Sequence, residues 1–473
     1  MRKSLARSAT FTTRYLWCAL AVFILGGLAS AQPAKLGAEF QVNTYSYSGQ
    51  RYPTVARDGD GDFVVLWNGP ESIGAGNGVF GQRFSSAGAA VGVQFLVNTY
   101  TTGSQGRPAV AMGAAGDFVV AFMSVQDQDN YGVFARRFDA NGGALGGEFQ
   151  LNQYTVSAQR IPRVGRRSSG DFTAVWQSPR EGGGGYGIFA RRVSSAGAVQ
   201  ASEFQVNTYT TGTQKYPSIG MTGAGAFVVA WQSDGQEGDL GIFARRFDSS
   251  GNALATEFQV PSYITGDQAE PTVAVDADGD FVIAWHSAED GSGAGIFARR
   301  FSSAGVALGL EFQVNTTTAG TQRFAAIAAE SDGDFVVNWE DSGGLDGNIA
   351  GVFGKRFTSA GAAQGPEFQV NTYFTDDQRR PAIGMTGTGA FVVAWMSDTQ
   401  DGYLFGIFGQ RFAGGGATID VDGNGVVDAL TDTLLMLRYV FGFRGNTLIT
   451  GAVGGGCTRC SAPDIEAYID TLD

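Results

Sequence analysis

The heptapeptide Glu39-Phe40-Gln41-Val42-Asn43-Thr44-Tyr45 (EFQVNTY) returns as QFLVNTY, EFQLNQY, EFQVNTY, EFQVPSY, EFQVNTT and EFQVNTY, with its phenylalanine at positions 40, 95, 149, 204, 258, 312 and 368. The intervals are 55, 54, 55, 54, 54 and 56 residues. A period of about 50 residues marks a propeller or a solenoid rather than a string of independent domains. Reading outward, each unit carries four short apolar runs bounded by turn residues, which is a strand pattern. In the first unit they are Pro53 to Ala56, Phe63 to Trp67, Val79 to Phe84 and Gln94 to Asn98, named A, B, C and D. Glycine recurs in the A-to-B turn at 61, 116, 170, 225, 279, 333 and 389, where it supplies the positive φ of a tight hairpin.

Seven A-B-C sets are present, and the first D stands before the first A, while the last C, Ile407 to Phe412, has no D after it. A ring resolves the mismatch if Glu39 to Asn43 completes the seventh sheet, which also removes the open edges of a linear array. The expected fold is all-β: a seven-bladed β-propeller of four-stranded blades over residues 38–412, closed by the N-terminal strand. The pattern GDFVVAW, GIFARRF, GxxLGxEFQVNT resembles the repeat of large exported and surface proteins of bacteria. That resemblance implies a propeller and carries no common activity.

Glycine is 71 of 473 residues, roughly twice ordinary usage, and 43% of the chain is hydrophobic, so the sequence is turn-rich and not disordered. A net charge of −13 argues against nucleic acid. Residues 1–31 read as a secretory signal peptide: Arg2, Lys3, Arg7 and Arg14 without an acid, an apolar stretch from Leu16 to Leu28, then Ala29-Ser30-Ala31. That stretch is shorter than the ~20 residues of a spanning helix. A secreted, cell-surface or periplasmic protein with no membrane span in the mature chain is expected.

After a glycine-rich linker, 413–419, the chain reads Asp420-Val-Asp422-Gly-Asn424-Gly425-Val426-Val427-Asp428. Side-chain oxygens at alternate positions, then a glycine and a main-chain carbonyl, suit the hard Ca²⁺ ion. Asp420, Asp422, Asn424, Val426, Asp428 and Asp432 are the candidate ligands for one ion. Leu430, Leu434, Leu437 and Phe441 then have helical spacing, with Gly442 as the stop. Residues 420–473 resemble a type I dockerin, a small α-helical, EF-hand-type module. The resemblance implies a cohesin-like partner and polysaccharide breakdown, although the closing acid sits one place late and the second half has no acidic loop. Cys457 and Cys460 read as a local disulfide before a helix from Pro463 to Leu472 capped by Ser461.

Strand B ends in Trp67, Phe122, Trp176, Trp231, Trp285, Trp339 and Trp395. Core packing accounts for these rings, with sugar stacking as the alternative. Arginine precedes the last residue of each C strand (83, 137, 192, 246, 300, 356, 411), and Glu or Gln opens each D strand, so cross-strand C-to-D pairing is expected. Asp58-Gly-Asp60-Gly-Asp62 and Asp276-Ala-Asp278-Gly-Asp280 read as hairpin chemistry rather than metal sites. The D-to-A and B-to-C connections share one face, with Tyr45, Tyr100, Tyr154, Tyr209, Tyr263 and Tyr373 on the former and many acids on the latter. These tyrosines are candidate glycan contacts, or equally loop structure.

Two irregularities stand out: a basic group of Arg160, Arg163, Arg166 and Arg167, and His286, the only histidine. Because the units look interchangeable and no catalytic motif occurs, the expected function is non-catalytic. The chain would be a binding, adhesion or scaffold protein whose propeller face takes a glycan or another surface macromolecule, with a calcium-ordered docking tail. The competing reading is a carbohydrate-active hydrolase or lyase that degrades polysaccharide with catalytic acids in the B-to-C loops.

Overall fold

The computed structural model describes residues 32–70, 76–127, 130–179, 185–236, 239–414, 432–453, 457 and 459–469. The chain forms two compact units, Met1–Phe412 and Ala413–Asp473.

The first unit is seven four-stranded antiparallel sheets, each in the order A-B-C-D. Blade one uses Arg51–Arg57, Phe63–Pro70, Asn77–Phe84 and Ala90–Leu96; blade five uses Gln268–Val275, Phe281–Ser287, Gly295–Phe301 and Phe312–Gln313. Blade seven takes Gln378–Met385, Phe391–Ser397 and Gly406–Phe412, and borrows Phe40–Gln41 from the start of the propeller. There Phe40 pairs with Gly409 and Gln41 with Phe408. The Val42 N–H donates to the Ile407 carbonyl at 2.8 Å, and the Ile407 N–H to Asn43 Oδ1 at 2.7 Å. The ring is therefore closed by the N-terminal strand, as the count of strands requires.

Strand B is buried on both faces, which is why it reads as a continuous apolar run. Phe63, Val65 and Trp67 pack on Val392, Ala394 and Met396 of blade seven, while Val64 and Leu66 pack on Val120 and Phe122 of blade two. The same alternation repeats at every wedge, giving seven cores between neighbouring blades. The six tryptophans and Phe122 that end strand B are at most 1% exposed, so they fill the wedges and are closed to sugar. At the other end of the wedge, paired phenylalanines such as Phe63 and Phe84 stack at 4.9 Å, with Phe40 from the previous blade 5.2 Å from Phe84. Most D strands are only two residues long, which keeps the outer edges poor templates for further pairing.

The second unit has short helices at Asp432–Val440, Asn446–Ile449 and Ala462–Ile469 around Leu435, Leu448, Ala452, Ile465 and Ile469. Gly442, at φ 83°, ends the first helix, its N–H on the Tyr439 carbonyl. The buried face of that helix centres on Leu435, whereas Leu437 and Phe441 are exposed. Ser461 Oγ accepts the Asp464 N–H, capping the last helix, and Cys457 and Cys460 are disulfide-bonded. Among the described residues no helix is long and apolar enough to cross a membrane. Residues 1–31 and the calcium candidates Asp420, Asp422, Asn424, Val426 and Asp428 lie outside the described residues, and of Asp432 only the backbone, opening its helix, is described.

Candidate functional site

Every strand A begins with the same distortion. In blade one Arg51 pairs with Asn68 and Thr54 with Leu66, so Tyr52 and Pro53 together face the single residue Trp67. This two-against-one bulge repeats in all seven blades. In six of them the second bulged residue is a proline, which has no N–H to give the ladder. The first bulged residue adopts a left-handed backbone each time: Tyr52, Arg107, Ile161, Tyr216, Glu270, Phe324 and Arg380 have φ between 52° and 57°. None is glycine, and such a conformation costs of order 1–3 kcal/mol per residue. Bulges re-aim side chains, and all seven residues line one axial cavity of about 260 Å³.

The seven positions are equivalent by geometry and unlike by chemistry. The expectation of interchangeable units holds for the scaffold and fails at the axis. Arg107 lies over the Tyr52 ring at 3.6 Å, and Arg380 lies over Phe324 at 3.9 Å. Arg163, two residues past the bulge of blade three, also lines the cavity. It is open to the channel but deep in the ring, so withdrawal from bulk solvent, and then Arg107, lower its guanidinium pKa to about 10. Glu270 is the one acid among the described residues of this lining. Burial pushes its carboxyl pKa up, against the opposing pull of Arg380, Arg107 and Arg163. Its Oε2 is buried without a hydrogen-bond partner.

A second ring supports the first. Several bulged N–H groups donate to the side chain that follows the wedge aromatic of the preceding blade: Tyr52 to Met396 Sδ at 3.4 Å, Tyr216 to Gln177 Oε1 at 3.1 Å, Glu270 to Gln232 Oε1 at 3.4 Å and Arg380 to Glu340 Oε2 at 3.2 Å. His286 occupies this position in blade five, opposite Ala269. Burial, and then Arg323, lower its pKa to about 4, so the imidazole is neutral. Glu340 is 2% exposed, and burial raises its carboxyl pKa.

The sequence candidates fall elsewhere. Tyr45, Tyr100, Tyr154, Tyr209, Tyr263 and Tyr373 sit on the D-to-A connections, outside the axial cavity. The neighbouring Asn and Gln residues hold those connections: Asn152 Nδ2 donates to the Tyr154 carbonyl at 2.9 Å and to Gln159 Oε1 at 3.1 Å. Several B-to-C acids fold their own loops, Asp341 accepting the Gly343 N–H and Asp346 the Asn348 N–H. Asp129 and Glu237 lie outside the described residues. Asp62 and Asp280 accept the N–H groups of Ser86 and Ser303 in their own blades. Among the described residues no cluster of three His, Cys, Asp or Glu side chains is placed to hold a metal ion.

The basic group of blade three separates. Arg160 lies over Tyr131, Arg163 enters the cavity, and Arg166 and Arg167 pair with Asp117 and Asp171. The expected C-to-D pairing is replaced by two separate contacts. Arg83 donates to the Asn141 and Ala140 carbonyls of the next blade, and Glu148 accepts the Thr99 and Tyr100 N–H groups of the blade before it.

No family model and no curated protein matches the chain. Solved structures do. A polysaccharide lyase is 10% identical over 80% of this chain and 99% of its own, at a TM-score of 0.49. A protein of unknown function from Dyadobacter fermentans is 11% identical over 81% and 99%, at 0.48. The Penicillium chrysogenum α-L-arabinanase is 14% identical over 68% and 98%, at 0.47. At such identities the likeness is one of fold. The expectation of a non-catalytic binding, adhesion or scaffold protein is corrected at the axis of the propeller. The premise of that expectation, that no unlike groups converge there, fails on the lining of the cavity.

Proposed function

We propose that the chain is a carbohydrate-active enzyme that cleaves a polysaccharide in the axial cavity of its propeller, with Glu270 as the catalytic acid or base. The supporting observation is the Glu270 carboxyl: the single acid among the described residues of the lining, raised in pKa by burial, one oxygen without a partner, among Tyr52, Tyr216 and three arginines. A carboxyl raised in pKa protonates the departing glycosidic oxygen, and the carboxylate left behind takes a proton either from the water whose oxygen bonds to the anomeric carbon or from the sugar carbon whose C–H electrons become the new double bond. The acid therefore moves from the loops, where the sequence put it, to the bulge of strand A in blade five. Export, and one Ca²⁺ ion in residues 420–432 of a dockerin-like tail with a cohesin-like partner, are further proposals that rest on the sequence.

The test is a panel of neutral and acidic polysaccharides, read for new reducing ends and for the ultraviolet absorbance of unsaturated sugar. Glu270→Gln, folded by circular dichroism, is expected to lower the rate ~10²–10⁴-fold, the usual contribution of a positioned acid or base. Full activity in that variant overturns the assignment, and no cleavage of any member overturns the reading.

A further inference from the structure

We infer that the axial cavity and the groove leading from it take an anionic glycan, one bearing carboxylate or sulfate groups; the inference rests on the carbohydrate reading but not on cleavage. The chain carries a net charge of −13, yet the cavity lining holds Arg107, Arg163 and Arg380 against the single Glu270. The local charge is opposite in sign to that of the molecule. The adjoining groove, about 480 Å³, extends over blades one to four, and its lining among the described residues holds Arg107, Arg160 and Lys215 and no acid.

In this groove each cation is set on an aromatic ring. Arg107 covers Tyr52 at 3.6 Å, Arg160 covers Tyr131 at 5.8 Å and Lys215 covers Tyr186 at 5.4 Å. Across the ring the arrangement differs, since Arg379 of blade seven is bound to Asp377 at 2.7 Å and approaches Glu340 at 4.0 Å. Among the described residues no carboxylate makes an ion pair with Arg107, Arg160, Arg163, Lys215 or Arg380. Arg107, Lys215 and Arg380, half-buried, give up solvation with a ring but no carboxylate in return, and an anionic ligand supplies the missing charge. Rings beside the cations give a flat apolar face to a pyranose, and the repetition from axis to rim suits a polymer rather than a single small anion.

The test is equilibrium binding to the full-length Glu270→Gln protein, which separates recognition from cleavage. The probes are polygalacturonate, its methyl ester, dextran and dextran sulfate. Polygalacturonate or dextran sulfate is expected to bind and the two uncharged polymers not to, the two charged arms distinguishing carboxylate from sulfate. Arg163→Gln and the double substitution of Arg160 and Lys215 to Gln are each expected to weaken the charged ligand by about 10- to 100-fold, the worth of a charge-assisted contact. Arg163→Lys, which keeps the charge, retains most of the affinity. Equal affinity for the charged and esterified polymers, or unchanged binding in both Gln variants, overturns the inference and leaves the enzyme reading standing. Charged-polymer binding without any cleavage by the wild-type chain does the reverse.

Discussion

A single residue per blade, the first of the bulge, turns left-handed to line the axial cavity, and behind it stands a residue of the preceding blade in a second ring. His286 is the member of that second ring that titrates near neutrality when solvated. It stands where Gln177 and Gln232 accept a bulged N–H in other blades, and its pKa falls from 6.5 to about 4 because burial, and then Arg323, disfavour the charged imidazole. The folded pKa lies below the unfolded one, so between these values the native state binds fewer protons. Stability held above pH 6.5 is therefore lost as pH falls toward 4, by up to ~3 kcal/mol. His286→Gln keeps a hydrogen-bonding side chain and removes the titration. Urea midpoints are expected to match wild type within ~1 kcal/mol at neutral pH and to exceed it by ~2–3 kcal/mol in acid. An equal acid loss in both proteins would show the histidine to be solvated. His286 was visible in the sequence as an oddity, but the axial seven were missed. Reading strand A from Pro53, Pro108 and their equivalents stops one residue short of Tyr52 and Arg107, and a residue before proline is ordinarily extended, not left-handed. Their one signal is variation at a fixed place in a repeat.

At the scale of elements, repetition made the strands and hairpins legible and left the contacts between blades ambiguous. The arginine of each C strand and the Glu or Gln of each D strand recur at fixed spacing, which suggested that they pair. The arginines instead reach main-chain carbonyls of the next blade's C-to-D hairpin, and a carbonyl leaves no mark in a sequence. Arg192 is representative, donating to Ser250 at 2.5 Å and Ser249 at 3.0 Å. Blade six departs from this pattern, its Arg356 pairing with Glu330. Arg192→Met keeps most of the apolar stem and deletes the donors, so a loss of about 1–3 kcal/mol is expected in denaturant unfolding. Because the partner is a neutral carbonyl, that loss should change little between low and high salt. A loss that vanishes in high salt would restore an ion pair as the contact.

The closed ring is a property of the whole chain, and it was legible because strand counting is arithmetic: seven A-B-C sets with a D strand stranded at the front admit one closure. What counting does not give is how much stability the closure holds. Phe40 answers that, since its ring occupies the space beside Gly409, where a Cβ would lie 2.8 Å from it, and meets Phe84 at 5.2 Å. Phe258 makes the same contact within the continuous chain, 5.4 Å from Phe301. Were the blades a linear array, Phe40 would belong to a fraying end and Phe40→Ala would be mild. In a ring that unfolds as one unit, Phe40→Ala and Phe258→Ala remove equivalent wedges, and each is expected to cost ~2–4 kcal/mol, somewhat under a fully buried phenylalanine. The comparison is made by urea unfolding of both variants with a shared slope. A Phe40→Ala cost below half that of Phe258→Ala would mean that the N-terminal strand covers the seventh blade without bearing the ring's cooperativity.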